Sequence, residues 1–324
     1  MMTTALDSSR KTLAAWVWEE LTGIEFSSVY VPFGANARVA QFFKRKGYQT
    51  FITDMLQSNY WKAVALVQNN DSILTPNHFG MITEGSGLAQ SNDFELWQDH
   101  YFTKEETQLL SSWWHNIENE ATFESPELKA MAYTAIYMTM SYWLGFNQRA
   151  LQPKPMTSLD ALRHYVQQLN NWVVDNSSPN MAYFSDAYQM ADQLPAHVAF
   201  IDPPAINGYR DTHLKTELAE CWTRRVTQIN LAGLISNENG PRLGQSFEDP
   251  QTYLQAFGAF LDACEGSRVW VIHHGAHLGV ELSDMEATIE QRRQVWKRST
   301  MTIPYPYADE TLNDKETLII AVAE

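Results

Sequence analysis

The 324-residue sequence predicts an α/β protein, a doubly wound and mainly parallel sheet interrupted by a mainly helical insertion. Three observations predict it. The chain opens on a strand–helix–strand–helix succession, which favours a parallel sheet with covering helices. About seven short apolar segments of strand character alternate with helical patterns along the chain. Acidic residues stand at the ends of three of these strands, Asp54, Asp186 and Asp202, where open α/β sheets collect ligands.

The elements follow in order. Segment 27–33, Ser-Ser-Val-Tyr-Val-Pro-Phe, is short and apolar with turn residues at its flanks, so it reads as a buried strand. A turn of small residues leads to a helix over 39–46, with Gly47 as its C-terminal stop. A second strand over 49–53 ends at Asp54, and a helix containing 60–67 follows. From about residue 70 to 176 the pattern changes. Gly, Asn and Ser make 75–91 a loop, and Thr103 with Glu106 three residues on forms a capping-box signal for a helix over 103–119. Helical patterns at 127–144 and 158–174 are separated by Pro153 and Pro155. The expected division is therefore 1–70 with 177–324 as the sheet domain and 71–176 as the insertion. Strands resume at 182–186 and 198–201, a helix at 214–226, and strands at 269–272 and 318–322, with a weaker one at 301–303.

Composition narrows the function classes. Hydrophobic residues at 44% and charged residues at 19% exclude a disordered chain. Cys221 and Cys264 lack metal-type spacing and read as reduced structural thiols of an intracellular protein. Without a leader-like segment or a membrane-length apolar run, the expectation is a cytoplasmic protein with no membrane contact. The net charge of −15 opposes nucleic-acid binding, which would rest on local clusters such as Lys44-Arg45-Lys46, or on a basic partner. Arg292-Arg293 with Lys297-Arg298 reads as a solvated helix face that could also touch phosphate. His273-His274 with His277 has no acidic or Cys partner at ligand spacing, so it reads as the polar end of a strand rather than a metal site. Trp113-Trp114 reads as helix core, and Tyr305-Pro306-Tyr307 as a loop.

The most informative stretch is Phe200-Ile201-Asp202-Pro203-Pro204-Ala205. Two successive prolines fix φ near −65° and keep Asp202 out of helix, so the loop is stiff. It can present the Asp202 carboxylate and the Pro203 carbonyl as paired acceptors for an amino group. Asp54, ending the second strand, is placed to accept from ribose hydroxyls, and the small-residue turn Phe33-Gly34-Ala35-Asn36-Ala37 lets a cofactor approach the backbone.

Over most of its length the chain resembles the DNA adenine N6-methyltransferases of the DNA adenine methylase class. Ser9-Arg10-Lys11-Thr12-Leu13-Ala14 resembles the family's opening Gly-Gly-Lys segment, keeping Lys11. Pro32 to Ala37 resembles its Pro-Phe-x-Gly-x-Gly cofactor loop, Thr53-Asp54-Met55 its acidic ribose position, and Ser185-Asp186-Ala187 its Gly-Asp-aromatic motif beside the cofactor's adenine. His100-Tyr101-Phe102-Thr103 is similar to the segment before target recognition, and Phe200 to Pro204 to the catalytic motif. The resemblance implies a Rossmann-like class I methyltransferase fold with a target-recognition-like insertion. It also implies S-adenosylmethionine held by Lys11, Phe33, Gly34, Ala35, Asp54 and Asp186, and methyl transfer to a flipped adenine by Asp202, Pro203 and Pro204.

The departures fall in the active parts. Ala35 and Ala37 replace the two loop glycines, at a cost in strain if those positions need positive φ. Ala205 stands where the family has a stacking aromatic, and Tyr209 could supply a ring if the loop folds back. A second reading follows from these losses: a methyltransferase-fold partner or scaffold subunit without chemistry of its own.

Overall fold

The computed structural model describes residues 5–84, 92–147, 154–194, 196–208, 214–235, 240–302 and 315–323. The chain divides into two compact units, Met1–Met55 with Asn176–Asp211 and Leu231–Glu324, and Leu56–Asp175 with Thr212–Asn230. Segments 56–70 and 212–230, assigned from the sequence to the sheet domain, thus belong to the helical unit.

The first unit is built on seven strands: β1 (Ser28–Val31), β2 (Gln49–Asp54), β3 (Met181–Phe184), β4 (Val198–Ile201), β5 (Val269–His274), β6 (Gln294–Thr302) and β7 (Lys315–Val322). They lie in the order β3-β2-β1-β4-β5-β7-β6. β1 to β5 are mutually parallel, and β7 runs antiparallel to both β5 and β6. This mixed α/β sheet is compatible with a methyltransferase fold. Every residue of β1, β4 and β5 is buried, as strands covered on both faces require, which is why they read as continuous apolar runs. Around them lie α1 (Ala5–Glu20), α2 (Arg38–Arg45), α8 (Ala187–Ala191), α10 (Pro250–Ala263) and α11 (Leu282–Glu290). One face of the core gathers Tyr30, Ile201, Phe257, Phe260, Ile272 and Ile319.

β6 corrects two expectations. Residues 301 and 302 of the weak strand expected at 301–303 are the end of a nine-residue edge strand, and Lys297 and Arg298 lie on that strand rather than on a helix. Its sequence is polar and largely exposed, as suits an edge that must not recruit another chain, so its strand signal is faint.

The helical unit comprises α3 (Gln57–Ala63), α4 (Pro76–Glu84), α5 (Lys104–Asn119), α6 (Pro126–Asn147), α7 (Ser158–Asn170) and α9 (Leu214–Arg224). The helix expected over 60–67 is α3 continued by a π-helical turn, Val64–Gln68. Part of the stretch expected as loop is α4. Its Pro76 takes the first helical position, where no amide hydrogen is needed, and Asn116 Nδ2 on α5 donates to the Ile82 carbonyl at 2.8 Å. The capping box at Thr103 and Glu106 is formed. Buried Glu220 on α9 accepts from the amides of Gln57 and Ser58 at 2.9 and 2.7 Å, satisfying orphan donors at the start of α3, and pairs with Arg224 at 2.6 Å. Trp113 is fully buried and stacks on Trp143, so it is core. Trp114 lies beneath the Arg225 guanidinium, 4.9 Å from its ring centre. Among the described residues no helix is long and apolar enough to cross a membrane.

Candidate active site

Parallel strands in the order β3-β2-β1-β4 bring Asp54, Asp186 and Asp202 to one edge of the sheet, all within the first unit. The turn after β1 is pinned to the end of β2. Gly34 donates to the Thr53 carbonyl at 2.9 Å, and Ala35 donates to Asp54 Oδ2 at 2.9 Å. Within the turn Phe33, Ala35 and Ala37 have φ of 54°, 45° and 59°. The backbone thus adopts the left-handed conformation that favours glycine at both positions where alanine replaces it. Gly34 does not share that φ. It is needed for space, because a Cβ there would run into the Ile52 side chain. Asp54 is buried, and Tyr30 ties β1 to β2 through Thr53 Oγ1 at 2.8 Å.

Asp186 is the N-cap of α8 and accepts from the Tyr188 amide at 2.9 Å. Arg242 Nε stands 3.9 Å from its Oδ2, with the guanidinium 4.2 Å above the Tyr188 ring. Phe184, at the end of β3 and in register with Asp54, is half exposed.

Asp202 lies one residue beyond the β4–β5 pair Ile201 and Ile272, which sets it opposite His273. His273 Nδ1 is 2.9 Å from Asp202 Oδ1, and His273 Nε2 is 2.8 Å from Glu316 Oε2. Glu316 reaches the ring along β7, two residues from Leu318, the residue paired with His273. Both partners of Asp202 in this array are nearly inaccessible, whereas Asp202 keeps 14% side-chain exposure. Burial disfavours the imidazolium, but the Asp202 and Glu316 carboxylates outweigh it and push His273 up to about 9. The proline loop itself is anchored: Tyr253 Oη donates to the Pro204 carbonyl at 3.0 Å, and Ile206 donates to the Leu278 carbonyl at 2.9 Å. Pro203 is buried, and Ala205 is half-buried.

Other expected residues lie elsewhere. Tyr209 and the Tyr305-Pro306-Tyr307 stretch are outside the described residues. Lys11 belongs to α1 by its backbone, and its side chain is outside the described set. Of the basic clusters, Lys44 is fully buried, while Arg45 and Lys46 are exposed at the end of α2. Arg293 is buried, donating to the Ser267 and Glu265 carbonyls and stacking on Trp270. Arg292 pairs with Asp262, Lys297 with Glu20, and Arg298 with Glu286 and Glu290. These cations are engaged within the fold. Cys221 and Cys264 are buried free thiols, and burial pushes Cys221 up to about 12.

His273 reads as a mere polar strand end in the sequence because its carboxylate partners, Asp202 and Glu316, are distant in the chain. The signal was present in the strand ends: Asp202 and His273 each follow an apolar run, and parallel neighbours place such ends together.

The chain is 25% identical over 255 residues to Type II methyltransferase M2.HphI from Haemophilus parahaemolyticus, covering 69% of this chain and 74% of that protein. It supports a methyltransferase. No family model matches the chain.

Proposed function

We propose that this protein is an S-adenosylmethionine-dependent enzyme of the Rossmann-like class I fold that methylates adenine N6 in DNA. The observation that carries the reading is Asp202. It stands in a rigid Pro-Pro loop at the tip of β4, partly accessible, on the sheet edge it shares with Asp54 and Asp186. The likeness to a type II methyltransferase supports the same reading.

The residues present suit the cofactor. Asp54 is proposed to offer carboxylate oxygen to ribose hydroxyls beside the turn of small residues, Gly34 and Ala35, and Phe33 and Lys11 are proposed as further cofactor residues on the family resemblance alone. Asp186, close in the chain to the half-exposed Phe184, is proposed to stand beside the cofactor's adenine. Bound S-adenosylmethionine supplies an electrophilic methyl group. The chain's own part is positioning and electrostatics. Asp202 and the Pro203 carbonyl accept the two amine hydrogens, which turns the nitrogen lone pair out of conjugation with the ring. Pro204, held by Tyr253, keeps the loop from yielding.

DNA binding by the chain alone is proposed to be weak and to fall steeply with salt, given the charge of −15. The exposed Arg45 and Lys46 are candidate phosphate contacts, and a basic protein partner would strengthen binding. Calorimetric titration with S-adenosylmethionine, followed by transfer of labelled methyl to mixed-sequence DNA, tests the reading. Binding and label in N6-methyladenine are expected. No binding at millimolar cofactor would refute it.

A further inference from the structure

His273 takes no part in the chemistry set out above, yet it is buried, ionisable and in direct contact with Asp202. We infer that His273, gripped by Glu316, is a positioning residue that holds Asp202 as an oriented, ionised acceptor for the target amine. The inference rests on the proposed methyl transfer.

The geometry gives the reason. Asp202 must present lone pairs, not a proton, to an amino group that already carries two hydrogens. A carboxylic acid there would offer an O–H donor to a donor. Asp202 and Glu316 reach the same ring from opposite sides, so without a cation between them two carboxylates would share a largely buried site, and one would take up a proton. The imidazolium removes that conflict. It donates through Nδ1 to Asp202 and faces Glu316 through Nε2 as a close ion pair, so the ring is held between the two carboxylates and Asp202 is held by the ring.

The groups that face His273 come from several elements. Asp202 follows β4, Glu316 lies on β7, and His277 stands in the turn after β5 with its ring centre 6.0 Å away. Tyr253 of α10 approaches the same loop through Pro204. Gly275 leaves room for the arrangement: a Cβ there would overlap both Glu316 Oε2 and His277 Nδ1. Because His273 is pushed up to about 9, the clamp is intact at neutral pH and is lost as pH rises through that value.

The test joins histidine NMR titration of the full chain with steady-state methyl transfer. His273, assigned by loss of its signal in His273→Gln, should hold its proton past pH 8. Asp202→Asn and Glu316→Gln should each lower its midpoint. His273→Gln should lower kcat at least tenfold, leave KM for S-adenosylmethionine within twofold, and abolish an alkaline decline in rate near pH 9. Glu316→Gln, which keeps size and an acceptor, should give a smaller loss of kcat in the same direction. If His273→Gln does not fold, the wild-type titration and Glu316→Gln decide. A midpoint near 6.5 that Asp202→Asn leaves unmoved would overturn the inference. So would a folded His273→Gln with wild-type kcat and pH profile. A wild type that shows the NMR coupling but transfers no methyl would uphold the His273–Asp202 clamp and defeat the methyl-transfer reading instead.

Discussion

On one side of β1, Asp54 and Asp186 accept hydrogen bonds from nearby backbone amides, those of Ala35 and Tyr188, each at 2.9 Å. On the other side, Asp202 meets the ring of His273, 71 residues away in the chain, and Glu316 closes the row from β7. The same residue type at the same sheet edge therefore has two kinds of environment. Asp54 holds the turn after β1 and Asp186 caps the start of α8, so their loss should disturb local structure and ligand binding together. The third is held by another side chain and by charge, so its loss should spare the fold and fall on chemistry. The difference is open to attack by mutation.

The largest effect is expected at Asp202. Asp202→Ala should cut methyl transfer by roughly 10²–10³-fold or more, the range for removing one preorganised polar group from a reacting centre. Cofactor affinity should change little, because Asp54 ends another strand and Asp186 caps the helix after a third. Rapid-quench measurement of labelled methyl transfer, with calorimetry on the same preparations, separates the two quantities. An Asp202→Ala protein that lost cofactor binding as well would show that the two sides of the edge are one site.

Next comes Asp54. Asp54→Ala removes the acceptor for the Ala35 amide and, in the proposed role, charged hydrogen bonds to ribose worth about 1.5–3 kcal/mol each. Affinity for S-adenosylmethionine should fall about 10–100-fold by calorimetry. Unchanged affinity would remove Asp54 from the site and leave it a purely structural anchor.

The two sides were also unequally legible in the sequence. Wherever a signal was local it could be read: the apolar runs of β1, β4 and β5, the capping box at Thr103, the stop at Gly47 and the Pro-Pro loop. Features that depend on neighbours far along the chain could not. His273 looked like a polar strand end because Asp202 and Glu316 approach it only once β4, β5 and β7 lie side by side. β6 was hidden because an exposed edge strand has no apolar run to display. Lys44 and Arg293 stand in basic runs that charge patterning places at the surface, yet the fold buries both, a fate that long aliphatic stems permit. α4 was obscured by Asn77 and Gly80, which signal turns except where Pro76 has already set the first helical residue.

A middle-sized effect is expected at Ala205, on the chemical side of the edge. Base–aromatic stacking is worth about 1–3 kcal/mol per base, so Ala205→Tyr should raise turnover on adenine-containing DNA about tenfold. Position 205 is only half-buried. The mutant should show the gain in steady-state turnover with DNA and none in cofactor affinity. A wild type and an Ala205→Tyr variant that are both inactive, with cofactor bound, would argue against the enzyme.

The smallest effect is expected in the turn after β1, and it tests whether that side is governed by local backbone. Ala35 and Ala37 both sit at positive φ, 45° and 59°. A left-handed conformation costs a non-glycine residue about 1–2 kcal/mol, while glycine gives back about 0.4–1 kcal/mol through the entropy of the unfolded chain. Ala35 is half-buried, so Ala35→Gly should stabilise the protein by about 0.5–1 kcal/mol. Ala37 is 1% exposed, and removing its methyl forfeits about 0.8 kcal/mol of apolar burial, so Ala37→Gly should be close to neutral. Urea unfolding of the two single variants measures both. Equal stabilisation would mean the Ala37 methyl packs against nothing of consequence. Destabilisation by Ala35→Gly would mean that the Ala35–Asp54 hydrogen bond depends on the restricted backbone of alanine, and that the turn is held by more than its left-handed geometry.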